Sequence, residues 1–204
     1  MVFSGMTHSV TRVGAPKPVL RRPGQLRELL NSIFFIVAAL VLSELAFPRS
    51  SIDGPSMEPT LFTGQHLLIS RVDYLFGDPQ RGDIAVFDPP NEAKEMLIKR
   101  VIGVPGDTVE LRPTTVSVNG QETSDSELYV NGELVDEPYF VNRPCTLRCS
   151  GTWTLGPDEY FMMGDNRNHS NDSRSTSVGV IPRDHIVGRA IWRHWPLSLF
   201  GPVE

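Results

Sequence analysis

A chain of 204 residues with 40% hydrophobic content supplies apolar side chains for one compact domain plus one further apolar segment. Its net charge of −5, with no Lys/Arg-rich run outside the N-terminal region, provides no basic surface for a nucleic-acid backbone, so partners of that class are excluded as a first reading.

The chain opens on a basic stretch. Arg12, Lys17, Arg21, Arg22 and Arg27 precede the first acid, Glu28. From Leu29 to Phe47 the sequence is apolar, with Asn31 and Glu44 near the ends, and at 1.5 Å per residue a helix of that length crosses a hydrocarbon core. Only Arg49 follows closely. The positive-inside rule therefore predicts a cytoplasmic basic tail over residues 1–28, a transmembrane helix over 29–47 and an extracytoplasmic domain over 48–204. A cleaved leader is the alternative, but Glu44 would then stand at −3 for cleavage after Ala46, where a small residue is needed. A buried core helix is a third reading, which the charge asymmetry opposes.

Just after this segment comes Gly54-Pro55-Ser56-Met57-Glu58-Pro59-Thr60-Leu61, a serine in a constrained turn. Beyond the segment the only lysines are Lys94 and Lys99. Strand patterns follow at His66 to Ser70, Asp83 to Phe87, Met96 to Ile102, Thr108 to Arg112, Thr115 to Val118, Glu127 to Val130, Tyr160 to Met163 and His185 to Trp192. Asn119-Gly120 and Asn131-Gly132 predict tight hairpins, and the acidic piece Gln121 to Glu127 between them reads as an exposed excursion. No sustained helical period appears between residues 60 and 204. The predicted fold is mainly β, an antiparallel sheet domain behind one transmembrane helix.

Alternation places Lys99 on the face of Leu97 and Val101, with Arg100 on the other. An ammonium on an apolar face is desolvated, which lowers its pKa and leaves an amine able to take a proton from a serine. A lysine snorkelling from a strand edge is the competing reading. Lys94 lies among the carboxylates of Asn91-Glu92-Ala93-Lys94-Glu95 and is expected to stay charged. Cys145 and Cys149, in a domain facing an oxidising compartment, are candidates for a disulfide worth roughly 2 kcal/mol, with two free thiols as the alternative. No histidine stands at zinc-finger spacing from them, so no metal is expected. His169 adjoins Ser170 and Asp172, yet sequence neighbours seldom have triad geometry. Near the C-terminus, Ile191 to Phe200 is rich in aromatics that favour headgroup depth, with Trp195 and Phe200 the candidate lipid contacts; packing of a last core strand is the other reading.

Three segments, Gly54 to Leu61 (GPSMEPTL), Ile98 to Val109 (IKRVIGVPGDTV) and Gly164 to Arg174 (GDNRNHSNDSR), resemble the successive boxes of type I signal peptidases. These are the bacterial and organellar Ser/Lys enzymes that remove signal peptides. The resemblance implies that Ser56 is the nucleophile, Lys99 the general base, and Met57 and Arg100 their companions. It implies also that Ser170 holds the lysine amine by hydrogen bond while Asp165, Arg167, Asp172 and Arg174 brace its loop. Lys99, rather than histidine, separates the chain from the endoplasmic-reticulum branch. Gly54 stands where some members carry a serine or threonine that completes the oxyanion hole. The short interval from Lys99 to Gly164 implies a small accessory β region, about residues 111–158. The implied enzyme is an endopeptidase without cofactor, acting on signal peptides with small residues at −1 and −3 beside a lipid bilayer. The bacterial plasma membrane is the preferred location, with thylakoid and inner mitochondrial membranes as alternatives. A self-cleaving repressor would need a DNA-binding domain where the apolar segment stands. A narrow processing protease shares all the motifs, and a non-catalytic anchored module would not need Ser56 and Lys99 together.

Overall fold

The computed structural model describes residues 23–91, 95–140 and 144–203. Arg12, Lys17, Arg21, Arg22 and Lys94, on which two expectations rest, lie outside the described residues. The chain divides into two compact units, Met1–Leu40 and Val41–Glu204.

Helix α1 spans Pro23–Ala46 and is longer than the apolar run alone. Proline suits the first helical position because its fixed φ is helical and its missing N–H had no partner there. The stretch Gly24–Ala46 is long and apolar enough to cross a membrane, and side chains such as Phe34, Phe35 and Leu40 are exposed along it.

The larger unit is built on two antiparallel sheets. Its strands are β1 (Arg49–Ser51), β2 (His66–Ser70), β3 (Ile84–Phe87), β4 (Leu97–Gly103), β5 (Thr108–Val118), β6 (Gln121–Val130), β7 (Glu133–Leu134), β8 (Gly151–Thr154), β9 (Glu159–Met163), β10 (Ile181–Pro182), β11 (Ile186–Trp195) and β12 (Gly201–Pro202). One sheet runs β1-β2-β11-β3-β4-β9-β10, with β12 beside β11; the other runs β7-β6-β5-β8. A single helical turn, α2 (Asp73–Phe76), follows β2.

Period-2 alternation distributes apolar side chains to both faces of the central strands. In β3, Ala85 and Phe87 join one core cluster with Val101, Tyr160, Met162 and Val178, whereas Ile84 and Val86 join another with Met57, Leu61, Leu67 and Ile69. In β9, Tyr160 and Met162 join the first cluster, while Phe161 and Met163 pack with Ile102, Val109, Leu111 and Leu128 of the second sheet.

Both predicted Asn-Gly hairpins form, with φ of 53° and 79° at Asn119 and Gly120 and of 54° and 82° at Asn131 and Gly132, the positive pair that suits strand twist. The stretch Gln121 to Glu127 is not an excursion. It is the first part of β6 and pairs residue by residue with β5, from Gln121 opposite Val118 to Glu127 opposite Arg112. Its polarity misled because Asp125 is buried for a structural reason: its carboxylate accepts the Cys145 N–H at 2.8 Å. The two predicted strands Thr108 to Arg112 and Thr115 to Val118 are one, running through Pro113. Beyond Leu111 the far edge of β5 has no neighbour from β8, and an edge tolerates a missing N–H.

Candidate active site

The turn carrying Ser56 is pinned by its apolar residues. Met57 and Leu61 are fully buried in the cluster around Leu67 and Ile69, each contributing about 1.5–3 kcal/mol, and Leu61 N–H donates to the Met57 carbonyl at 2.9 Å. Gly54 has φ +90°, a conformation L side chains rarely adopt, so the backbone itself selects glycine there. The Ser56 side chain is left half-exposed at one end of a cavity of about 310 Å³, lined among others by Ile52, Asp53, Val86, Met96, Ile98 and Lys99.

Lys99 lies opposite Ala85 in the β3–β4 ladder and is 3% exposed. Its Nζ donates to Ser56 Oγ at 2.8 Å and to the Ile98 carbonyl at 2.8 Å. Snorkelling is thereby ruled out, since the amine points into the fold. Burial lowers its pKa from the ordinary 10.5 to about 8, and the negative charges of Asp172 and Asp165 partly oppose that shift.

Arg100, on the other face of the strand, makes a fork with Asp165 (Nε to Oδ1 2.9 Å, Nη2 to Oδ2 2.8 Å), donates to the Gly82 carbonyl and stacks 4.1 Å above the Tyr139 ring. The same Asp165 carboxylate accepts from Thr60 Oγ1 at 2.5 Å, so one carboxylate ties the nucleophile turn to β4.

Residues 164–174 form a buried polar network. Gly164 N–H donates to Asp172 Oδ2 at 3.0 Å, and Arg174 holds both oxygens of Asp172 (Nε to Oδ1 2.8 Å, Nη2 to Oδ2 2.9 Å). Burial pushes the Asp172 carboxyl up, but these donors win and hold it below its usual value. Arg167 pairs with Glu137, both almost wholly buried, and donates to the Gly164 carbonyl. Cys145 and Cys149 are joined by a disulfide with Cα atoms 5.9 Å apart. Its loop docks on this network, for Arg174 Nη1 donates to the Leu147 carbonyl and Asn168 Oδ1 accepts from Thr146 N–H at 2.8 Å.

Ser170 is buried close by, but the expected bond from Lys99 to its hydroxyl is not formed. The amine's two acceptors are Ser56 and Ile98. Among the described residues Ser170 Oγ makes no hydrogen bond of normal length, although it lies near enough to Asp172 to help keep that carboxylate ionised. A Cβ on Gly164 would collide with Ser170 and with the Ser56 carbonyl, so glycine at 164 is what lets the two loops meet. His169 is exposed, and its Nδ1 faces Asn166 Oδ1 at 3.2 Å rather than Ser170 or Asp172, so the adjacent His-Ser-Asp residues are not a triad.

Sequence reasoning missed Asn166. Its N–H donates to the Ser56 carbonyl at 3.0 Å and its Nδ2 to the Pro55 carbonyl at 3.1 Å. Because a trans peptide is planar, fixing the Pro55 carbonyl fixes the opposed Ser56 N–H. That N–H has no acceptor among the described residues and is free to serve an oxyanion. Glu137 and Thr60 were missed too, since partners 30 and 105 residues away leave no local pattern. Among the described residues no group of three or more His, Cys, Asp or Glu side chains could hold a metal ion.

Residues 26–195 match the family model described as Signal peptidase, peptidase S26. The chain is 34% identical to a probable signal peptidase I-2 of Synechocystis sp. over 81% of its own length and 71% of the relative's. It is 36% identical to a probable signal peptidase I-1 of the same organism over 89% and 90%. A crystal structure of a signal peptidase I from Enterococcus faecalis is 31% identical, covers 55% of this chain and 97% of its own, and superposes with a TM-score of 0.44.

Proposed function

The chain belongs to the signal peptidase family, peptidase S26, whose type I members cleave signal peptides, and on that premise we propose a membrane-anchored Ser56/Lys99 endopeptidase acting through an acyl-enzyme. The observation that carries this reading is the 2.8 Å contact between a buried amine of lowered pKa and the hydroxyl of a serine opening on a cavity.

The steps follow from the positions. Neutral Lys99 Nζ takes the Ser56 proton as Oγ attacks the scissile carbonyl, and the Ser56 N–H stabilises the oxyanion. The ammonium then gives its proton to the departing amine of the mature protein, leaving the signal peptide esterified to Ser56. Water, deprotonated by Lys99, attacks the ester and frees the signal peptide. Arg100, Asp165, Arg167, Asp172 and Arg174 hold the two loops in register, with Ser170 close against Gly164. With glycine at 54, the Ser56 N–H is the protein donor on hand, and water at the mouth of the cavity supplies the second.

Substrate binding uses unpaired strand edges. β1 is an edge strand, and among the described residues the part of β4 before Arg100 has no partner on the β9 side. An extended peptide can add there, with alternate side chains entering shallow ground around Ile52, Val86 and Ile98, a fit for small residues at −1 and −3. The apolar helix α1 serves as the anchor, with residues 1–28 cytoplasmic, 48–204 outside a bacterial plasma membrane and the accessory region, about residues 111–158, carrying most of the second sheet, whose strand β5 begins earlier at Thr108. Exposed Trp195, Leu197 and Phe200 support lipid contact over core packing for the stretch Ile191 to Phe200. The test is cleavage of a purified preprotein by the wild-type chain, Ser56→Ala and Lys99→Ala. Loss of cleavage in both with the fold intact is expected; substantial activity in Lys99→Ala would defeat the dyad.

A further inference from the structure

A second cavity, of about 310 Å³, adjoins the one at Ser56, and His169 lines both. Its other walls are Leu147 and Arg148 from the disulfide loop and Arg167, Asn168 and Ser170 from the buried loop 164–174. It begins close to the nucleophile, because Ser170 and the Ser56 carbonyl both lie against Gly164. A peptide whose small −1 and −3 residues occupy the first cavity, with its scissile carbonyl at Ser56, must send its next residues away from that cavity. The second is the hollow that His169 shares.

One charge in this hollow is uncompensated. Arg167 is paired with Glu137, and Arg174 nearby with Asp172. Arg148 is exposed and makes no hydrogen bond or ion pair among the described residues. Its φ of +55° is one that few residues other than glycine, asparagine and aspartate adopt, so the turn itself does not call for arginine. The loop that presents it is fixed. Asn168 Oδ1 accepts from the Thr146 and Leu147 N–H groups at 2.8 and 3.3 Å, and its Nδ2 donates to the Pro144 carbonyl at 2.8 Å. His169 is oriented as well: Asn166 uses Nδ2 on the Pro55 carbonyl, so its Oδ1 faces His169 and Nδ1 carries the hydrogen between them. The first cavity has the opposite sign. Asp53 and Glu95 stand on its walls, both exposed and with no cationic partner among the described residues.

We propose that the second cavity is the subsite for the first residues of the mature protein, and that Arg148 selects a carboxylate there. Preproteins with Asp or Glu close behind the scissile bond are then preferred, while Asp53 and Glu95 disfavour a carboxylate on the signal-peptide side. This rests on the reading of Ser56 as the nucleophile. Arg148 is open to water, so the selection is modest and weakens with salt.

The test uses the full chain in detergent micelles and soluble peptides with Ala at −1 and −3 and Asp, Asn or Lys at one position from +1 to +4. In the wild type, kcat/KM for Asp should exceed that for Asn about two- to fivefold at one or two neighbouring positions, the size of an exposed ion pair, and the ratio should fall in high salt. Arg148→Gln should level Asp and Asn. Arg148→Glu should reverse the order so that Lys is cleaved fastest, which a purely structural role of the loop would not give. A wild-type ratio near one at every position, or a preference for Asp that survives Arg148→Glu, overturns the subsite alone. Cleavage by Ser56→Ala, or no cleavage of any peptide by the wild type, overturns the nucleophile and the subsite with it.

Discussion

Lys99 Nζ lies 2.8 Å from Ser56 Oγ although the two residues are 43 apart in the chain. β4 supplies the amine, the pinned turn supplies the hydroxyl, and the buried loop 164–174 supplies the two carboxylates that keep the amine from losing its proton too readily.

The pH dependence follows from that contact. With the Lys99 pKa lowered to about 8 by burial, the fraction of neutral amine rises about tenfold per pH unit below 8 and levels above it. Measured as kcat/KM against a soluble peptide, the rate should climb with unit slope and reach a plateau above pH 8. A plateau already present at pH 6 would assign the base elsewhere.

The same lysine should cost stability. Its folded pKa of about 8 lies below the ordinary 10.5, so the unfolded chain binds the proton more tightly. The Lys99 contribution is therefore least unfavourable above pH 10.5, becomes unfavourable as pH drops from 10.5 to about 8, and stays so beneath that, a loss of about 3 kcal/mol at 1.36 kcal/mol per unit. Lys99→Met should raise the unfolding midpoint at pH 7 while abolishing cleavage, and the gain should shrink in strong alkali. An unchanged midpoint at pH 7 would contradict the burial of a charged amine.

Asn166 should matter for rate more than for binding. Asn166→Ala removes the Nδ2 bond to the Pro55 carbonyl but leaves the backbone bond to Ser56. The Ser56 N–H then loses its fixed aim. A fall in kcat of roughly ten- to a hundredfold is expected, about 1.4–2.7 kcal/mol of barrier, with KM little changed. Normalising kcat to the active enzyme counted by its acyl-enzyme burst separates this from a folding defect, which would lower the active fraction without altering the rate per folded molecule.

Glu137→Ala should damage the fold itself. It strands the Arg167 guanidinium, which is almost fully buried, and breaking such a pair from one side costs about 3–5 kcal/mol. Denaturant unfolding should show a loss of that order, and a loss below about 1 kcal/mol would mean that Arg167 finds another acceptor.

Much of this was legible in the chain. Alternation in Leu97 to Val101 is a local property, and it assigned Lys99 to a buried face. Asn-Gly pairs fix their own backbone, so both hairpins could be read directly. The polar segment Gln121 to Glu127 could not, because what makes it a strand is its pairing with β5 and the use of Asp125 by a backbone N–H twenty residues away. Asn166 and Glu137 escaped for a related reason. Their partners, the Pro55 carbonyl and Arg167, are near only after the chain has folded. Nor could the sequence say that the amine's second acceptor, beside Ser56, would be the Ile98 carbonyl rather than Ser170.

The central claim is that Lys99 activates Ser56 as a covalent nucleophile. Mass spectrometry of the chain quenched with acid during preprotein turnover tests this most directly. Activation by Lys99 predicts a signal-peptide acyl adduct on the peptide containing Ser56 in the wild type, and none in Ser56→Ala or Lys99→Ala. An adduct on another residue, or acylation of Lys99→Ala at the wild-type rate, would contradict it.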